Sequence, residues 1–327
     1  MSEVIIGVDL GGTRIRAGRL DKHLEILERV ETLTLADEGL ESTLGRIKAE
    51  IHKVLPQDKT QVLGIGVSAP GPLNPETGVI VRPPNLLGWE DVPLGDILHQ
   101  EFGVPVYLGN DANLAALAEV ARGVAYGYKH AIYLTVSTGI GSGIVIDGRL
   151  LLGREGLAAE AGHMVMMVGD RVSTLETEAA GPDMARLAVE RIKTGEKSMM
   201  TEFVNDDLEA ITGSVVGRAA QAGDPLAQEL IQRTGFLVGL GIVNLLHLFN
   251  PEIVVVGGGV THVGEMLFKP MREAIQKYAI DDAYWRDLRL ESPALGDDVS
   301  LIGAAVLVAT RGGQATIAQV LARLNAP

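Results

Sequence analysis

Apolar residues run almost unbroken over positions 4–10, stop at Gly11-Gly12-Thr13, and resume over 15–20. Two β-like runs about a Gly-Gly pair predict a hairpin, and residues 24–35 predict a third strand. In 38–54 the apolar positions Leu40, Leu44, Ile47, Ile51 and Val54 fall at helical spacing, and Pro56 ends the segment. Residues 62–69 predict a buried strand running into the forced turn Pro70-Gly71-Pro72. A short extended piece at 78–82, a helix at 94–102 and a strand at 104–109 follow, and then a helix over 114–121. The opening pattern of strand, Gly/Thr turn and strand returns at 131–137, 138–143 and 144–146, closed by the hairpin pair Asp147-Gly148. Beyond it the chain becomes helical. A long helix over 226–248 follows Asp224-Pro225, and a strand at 253–256 runs into Gly257-Gly258-Gly259. Helices at 266–278, 301–310 and 315–324 and an extended piece at 288–291 complete the expectation.

Composition narrows the class. At 327 residues, 46% of them hydrophobic, the chain can build two cores, and its 40 glycines imply many tight turns. A formal net charge of −14 repels phosphate backbones and anionic bilayers, so nucleic acid and membrane surfaces are not expected partners. There is no cysteine, which removes disulfides and thiolate metal sites. A strand by Val4 without a basic segment before it does not read as a signal peptide. The apolar stretch 235–249 contains Asn244 and His247 and reads as a core helix rather than a membrane span. The expectation is a soluble, cytoplasmic protein.

Two stretches carry candidate chemistry. In the first, Asp9 precedes Gly11, Gly12 and Thr13. Adjacent glycines let backbone N–H groups approach an anion, Thr13 adds a hydroxyl, and Asp9 can hold a hydrated cation, which would suit a nucleotide phosphate with Mg2+. An ordinary tight hairpin fits the same residues. Neither the Walker loop nor the G-x-G-x-x-G fingerprint is present here. In the second, Asn110-Asp111-Ala112-Asn113 stands before a predicted helix, and capping is its simplest reading.

Seven pieces in order, 9–18, 68–78, 84–94, 109–119, 137–143, Glu160-Ala161-Gly162-His163 and 254–260, together resemble the sugar kinase, heat-shock ATPase and actin superfamily. Within it the chain resembles the ROK family of bacterial sugar kinases and repressors along nearly its whole length. The resemblance implies an α/β, two-lobed actin-like or ribonuclease-H-like ATPase fold, with duplicated mixed β-sheet domains and a cleft between them. Residues 1–118 with 303–327 would form one lobe and 119–302 the other.

By position in the family motifs, Asp111 would be the general base that accepts the proton of the sugar 6-hydroxyl. Its place at a helix start would keep it ionised, with Asn113 as the cap. Asn110, Asp111, Glu160, His163 and Glu176 match the sugar-hydroxyl ligands; the register of Glu176 rests on Gly181, and Glu178 lies two residues on. Asn85 and the 68–71 turn would line the sugar cleft. Asp9 (through water to Mg2+), Gly11, Gly12, Thr13, Thr138 and Gly139 would serve the phosphates, and Gly258 and Gly259 the adenosine. Arg14 reads equally as a phosphate contact or a solvated side chain. One departure is large: most relatives carry a cysteine-rich zinc loop between His163 and Glu176, and the interval here has no cysteine. No zinc is therefore expected, and some other contact must orient His163.

The resemblance implies ATP-dependent phosphorylation of a hexose, with glucose first and N-acetylglucosamine, N-acetylmannosamine, mannose or fructose as alternatives. ADP or polyphosphate as donor stays open. A non-catalytic sugar-sensing regulator is the reading from another class; only eight residues precede Asp9, where repressors of the family carry a DNA-binding segment. Relatives imply a homo-oligomer, dimer or tetramer.

Overall fold

A computed structural model of the chain describes residues 3–58 and 60–324; positions 1–2 and 325–327, assigned above to the first lobe, lie outside them. The first apolar runs form β1 (Glu3–Leu10) and β2 (Arg14–Asp21), paired antiparallel with Asp9 opposite Arg16. β3 (Ile26–Leu33) extends the meander and alternates half-buried with exposed positions, as an edge strand with one wet face does. α1 (Leu40–Val54) buries Leu44, Ile47, Ile51 and Val54, the stripe that its spacing predicts. β4 (Gln61–Ala69) runs parallel to β1 and is buried over its second half. A small hairpin of β5 (Leu73–Asn74) and β6 (Val79–Ile80) precedes α2 (Leu94–Phe102). β7 (Val106–Asn110) pairs parallel with β4 and completes a sheet of order β3-β2-β1-β4-β7. α3 (Asp111–Arg122) follows without a linker, starting at Asp111 rather than at Leu114 as the periodicity predicts.

The second cycle has the same opening. β8 (Ala131–Val136), β9 (Ile140–Ile146) and β10 (Arg149–Leu150) follow one another, and Asp147 and Gly148 both take left-handed φ values of 50° and 69°, as a two-residue hairpin requires. β9 begins at Ile140, so residues 141–143 are strand and not turn as expected. Alternation of Ile140, Ser142 and Ile144 supports a ladder, and the bare Gly143 lets the Ala112 carbonyl of α3 approach. A separate hairpin, β11 (Val165–Val168) with β12 (Arg171–Thr174), occupies the cysteine-free interval. It leads into α4 (Leu175–Ala179), α5 (Gly181–Lys193), α6 (Met200–Phe203), α7 (Gly213–Gln221) and α8 (Pro225–Phe249). α8 starts with Pro225 in its first turn and Asp224 accepting from the Ala227 N–H at 2.8 Å. It is long and apolar enough to cross a membrane, yet most of it is buried against α4, α5, α7 and α9 (Glu265–Tyr278). β13 (Ile253–Gly257) is wholly buried and pairs parallel with β14 (Arg289–Glu291), in a sheet of order β10-β9-β8-β13-β14. α10 (Val299–Ala309) and α11 (Ile317–Leu324) end the chain.

Compactness divides the chain into two units: residues 1–131 with 143–159 and 293–327, and residues 132–142 with 160–292. In the first, α10 packs on β1, β4 and α3, while α1 packs on β1, β2 and β3. The chain's return into this unit is fixed by Glu119 of α3. Its buried carboxylate accepts N–H bonds from Val124 at 2.8 Å on one oxygen, and from Ala294 at 3.0 Å and Leu295 at 3.2 Å on the other. Charge-assisted bonds to backbone N–H groups are the strong kind. Glu119→Gln keeps the shape but puts an NH2 where an acceptor is needed. A loss of about 1–3 kcal/mol is expected, measured as a lower denaturant midpoint, with faster amide exchange at 294–295.

Candidate functional site

The expected site residues fall in both units. Asp9, Gly11, Gly12, Thr13, Asn85, Asn110 and Asp111 belong to the first; Thr138, Gly139, Glu160, His163, Glu176, Gly258 and Gly259 belong to the second.

In the first unit the β1–β2 turn is tied from behind. Thr34 Oγ donates to the Gly11 carbonyl at 2.6 Å, the Thr34 N–H donates to the Thr13 carbonyl at 2.8 Å, and the Gly11 N–H bonds the Arg14 carbonyl at 2.9 Å. Among the described residues the N–H groups of Gly12 and Thr13 have no recorded acceptor. Asn85 packs directly on Gly12. Asp9 faces Arg16, whose Nη1 lies 3.2 Å from Oδ2. Burial raises the Asp9 carboxyl above its ordinary value; Arg16 and the Ser300 hydroxyl pull it back, and the like charge of Asp111 pushes it further up. Arg16 was not singled out from sequence, although the hairpin register puts it opposite Asp9. Arg14 instead pairs at the surface with Glu31 at 2.7 Å.

The β7–α3 junction corrects the expected cap. Asn110 Oδ1 accepts the Asn113 N–H at 2.7 Å, so Asn110 is the cap, and Asn113 is buried inside the helix. Asp111 is the first helical residue, and its Oδ1 takes the Ala112 N–H at 2.8 Å. One acid thus serves the helix end with one oxygen only. Burial by the surrounding protein raises its carboxyl, and hydrogen bonds from the Ala112 and Asp111 backbone only partly offset this. The helix start, expected to keep Asp111 ionised, is opposed by loss of hydration, which favours the neutral form.

In the second unit, a cavity of about 720 Å³ opens between the end of β8 at Ser137-Thr138, the Gly259-Val260 turn, and the N-termini of α5 and α7. Gly181 and Gly213, which open those helices, touch backbone to backbone. Its lining holds no carboxylate but includes Arg218 and His262, in a chain with 42 acidic residues. Ala185, Ile211 and Val263 add apolar wall. Such a pocket suits a polyanion with a flat apolar part, since helix N-termini favour negative charge. Thr138 and Gly259 line it; Gly258 lies behind, packed on the Val136 carbonyl. Thr212, Arg218 and His262 were missed, although Thr212 before Gly213 is a readable cap, accepting the Val215 N–H at 3.4 Å.

Ile140 anchors the sugar-side candidates of this unit. Its N–H donates to Glu176 Oε2 at 2.7 Å, and that carboxylate occupies the space a side chain at Gly139 would need. Its carbonyl packs against Gly162 so closely that a Cβ there would sit 2.1 Å away. The Ala161 N–H also reaches Ser142 Oγ at 3.2 Å. Glu160 and His163 flank this 3-10 turn with exposed side chains that make no ion pair among the described residues. No group of three or more His, Cys, Asp or Glu gathers as a metal site among the described residues.

A family model, the ROK family, matches residues 5–311. A glucokinase of Thermotoga maritima is 34% identical over 315 residues, covering 94% of this chain and 98% of that protein. A xylose repressor of Caldicellulosiruptor bescii is 30% identical over 321 residues, covering 93% of this chain and 77% of the repressor. Among solved structures, a ROK family glucokinase from Streptomyces griseus in complex with glucose and AMPPNP superposes with a TM-score of 0.76 at 31% identity, over 93% of this chain and 98% of that one.

Because its folded-state carboxyl is raised, Asp111 gives stability that is full below the unfolded value near 3.8 and is lost as pH rises through the folded value. Asp111→Asn keeps the acceptor for Ala112 and removes the charge. The variant is expected to melt above the parent at pH 7.5, by a margin that closes toward pH 3.8. Thermal unfolding followed across that range checks the sign.

Proposed function

From a chain that belongs to the ROK family and is a sugar kinase, we propose that the substrate is glucose, phosphorylated on its 6-hydroxyl by ATP. The reading rests on one observation: Asp111 stands at the first position of α3 with its cap duty taken by Asn110. Its second oxygen is left to accept a proton, and its carboxyl is raised toward the range where a carboxylate makes a better base. A loose transition state needs that proton removed late, so orientation counts for more than basicity.

Asn85, Asn110, Glu160, His163 and Glu176 would hold the sugar hydroxyls, offering amide, carboxylate and imidazole groups to adjacent donors and acceptors. Glu176 is already engaged at one oxygen by Ile140, which leaves the other for a hydroxyl. The unused N–H groups of Gly12 and Thr13, with Thr138 and Gly139, would receive the phosphates. The acid-free cavity, with Gly258 and Gly259 at its edge, would take the adenosine. Mg2+ would arrive with the nucleotide and neutralise phosphate charge. Asp9 fits a water-mediated role there, because Arg16 occupies one oxygen and the nearby Asp111 charge favours a cation beside it. The burial of α8 fits a cytoplasmic enzyme; we assign it a dimeric or tetrameric state from its family.

A sugar-sensing regulator is the second reading, favoured by the repressor relative, which matches over 93% of this chain. A coupled ATP-to-ADP assay over hexoses and N-acetylhexosamines separates the two. Glucose is expected to give the highest kcat/KM, Asp111→Ala to lose about 10²–10⁴ in kcat, and the acid limb of the pH profile to lie above 3.8. Sugar binding without turnover would replace the enzyme with the sensor.

A further inference from the structure

The β11–β12 hairpin is the tether between two candidate sugar ligands. β11 starts two residues after His163 and β12 ends two residues before Glu176. Its base is closed by the Leu175 N–H donating to the Met164 carbonyl at 3.0 Å. Two strands alone are marginal in water, and burial does not hold this pair: Val165, Met167 and Val172 are among the most exposed apolar side chains described. What reaches it is charge. Arg171 of β12 brings Nη2 to 2.5 Å from Oε1 of Glu178, whose side chain is fully buried in α4. The other oxygen of Glu178 accepts from Arg233 Nη2 at 2.7 Å, and Arg233 Nη1 donates to the Glu178 carbonyl at 2.7 Å. Arg233 projects from α8 and also meets the buried Asp183 of α5 at 3.1 Å.

We propose that Arg171, Glu178 and Arg233 form an ionic clamp that positions Glu176 and the Glu160–His163 turn for sugar binding, running from α8 through α4 to the hairpin. This deepens the kinase reading and rests on it for the sugar. The chemistry demands completion of the chain. A buried carboxylate is strongly unfavourable without counter-charge, and Glu178 sits two residues from Glu176 on the same short helix. Its carboxyl is driven up by burial, yet Ser173, Arg233 and Arg171 together bring it below the ordinary glutamate value. Arg171 is the outer link. Its side chain is 56% exposed, so its loss leaves the core intact and acts on the hairpin. These are positioning residues; they touch no substrate.

Arg171→Ala and Arg171→Lys are compared with the parent enzyme by steady-state kinetics and by hydrogen exchange without sugar. The expected result for Arg171→Ala is a sugar KM raised by about 10- to 100-fold, with the ATP KM nearly unchanged and a modest drop in melting temperature, because Glu178 Oε1 loses its counter-charge. Amides 165–176 exchange faster, and Arg171→Lys recovers most of both effects. Unchanged sugar KM and unchanged exchange would overturn the proposal. So would a drop in melting temperature with all kinetic constants intact, since that marks a merely structural pair. If the parent enzyme turns over no sugar, the kinase reading has failed. The exchange experiment then decides the clamp alone: protection at 160–163 and 175–176 that does not depend on Arg171 overturns it.

Discussion

Asn110 is the last residue of a parallel strand and the cap of the helix that follows. The chain therefore has no slack between sheet and helix, and Asp111 cannot wander. Hydrogen bonds of β7 to β4 hold it from one side, and the packing of α3 under α10 holds it from the other. A carboxylate on a loop would need additional ordering before it could act as the proposed base; here folding has already supplied that order. The arrangement has a consequence for stability. Burial there disfavours the ionised form of the Asp111 carboxyl, a cost that the rest of the fold must offset.

The second unit shows the same economy at Ile140. One residue gives its N–H to Glu176 and its carbonyl to the Glu160–His163 turn, just beyond the glycine turn at 138–139. Groups assigned to sugar and groups assigned to phosphate are thus braced on a common strand end. Displacement of β9 would disturb both sets. The cavity beyond it is distinguished by what it omits: in an acidic chain, a lining without a carboxylate is a local departure from composition that leaves helix N-termini, Arg218 and His262 to set the potential.

Much of this was legible in the sequence. Strands with continuous apolar runs and the helices α1, α2, α8 and α9 stood out because period and punctuation agreed there. The glycine turns were legible because Gly-Gly and Gly-rich breaks interrupt otherwise continuous β-like runs. The start of α3 was misplaced for a physical reason: Asp111, Ala112 and Asn113 carry no apolar stripe, so periodicity fell silent before the helix did. β9 was shortened because glycines read as turn, whereas Gly143 is there to admit a neighbouring backbone. Arg16, Arg171 and Arg233 stayed hidden because ion pairs join residues by register and packing. Only the pair Asp9 and Arg16 could have been read, from the hairpin alone.

The three bonds accepted by Glu119 tie residues from near position 120 to residues near 294. The first unit is thus assembled from stretches far apart in sequence. Its opening sheet leaves one face of β1 and β4 uncovered until α10, far along the chain, packs there. The second unit, apart from the short run 132–142, is drawn from one continuous piece and can fold meanwhile. Asp111 lies before that piece, and the packing that steadies α3 comes from the stretch after it.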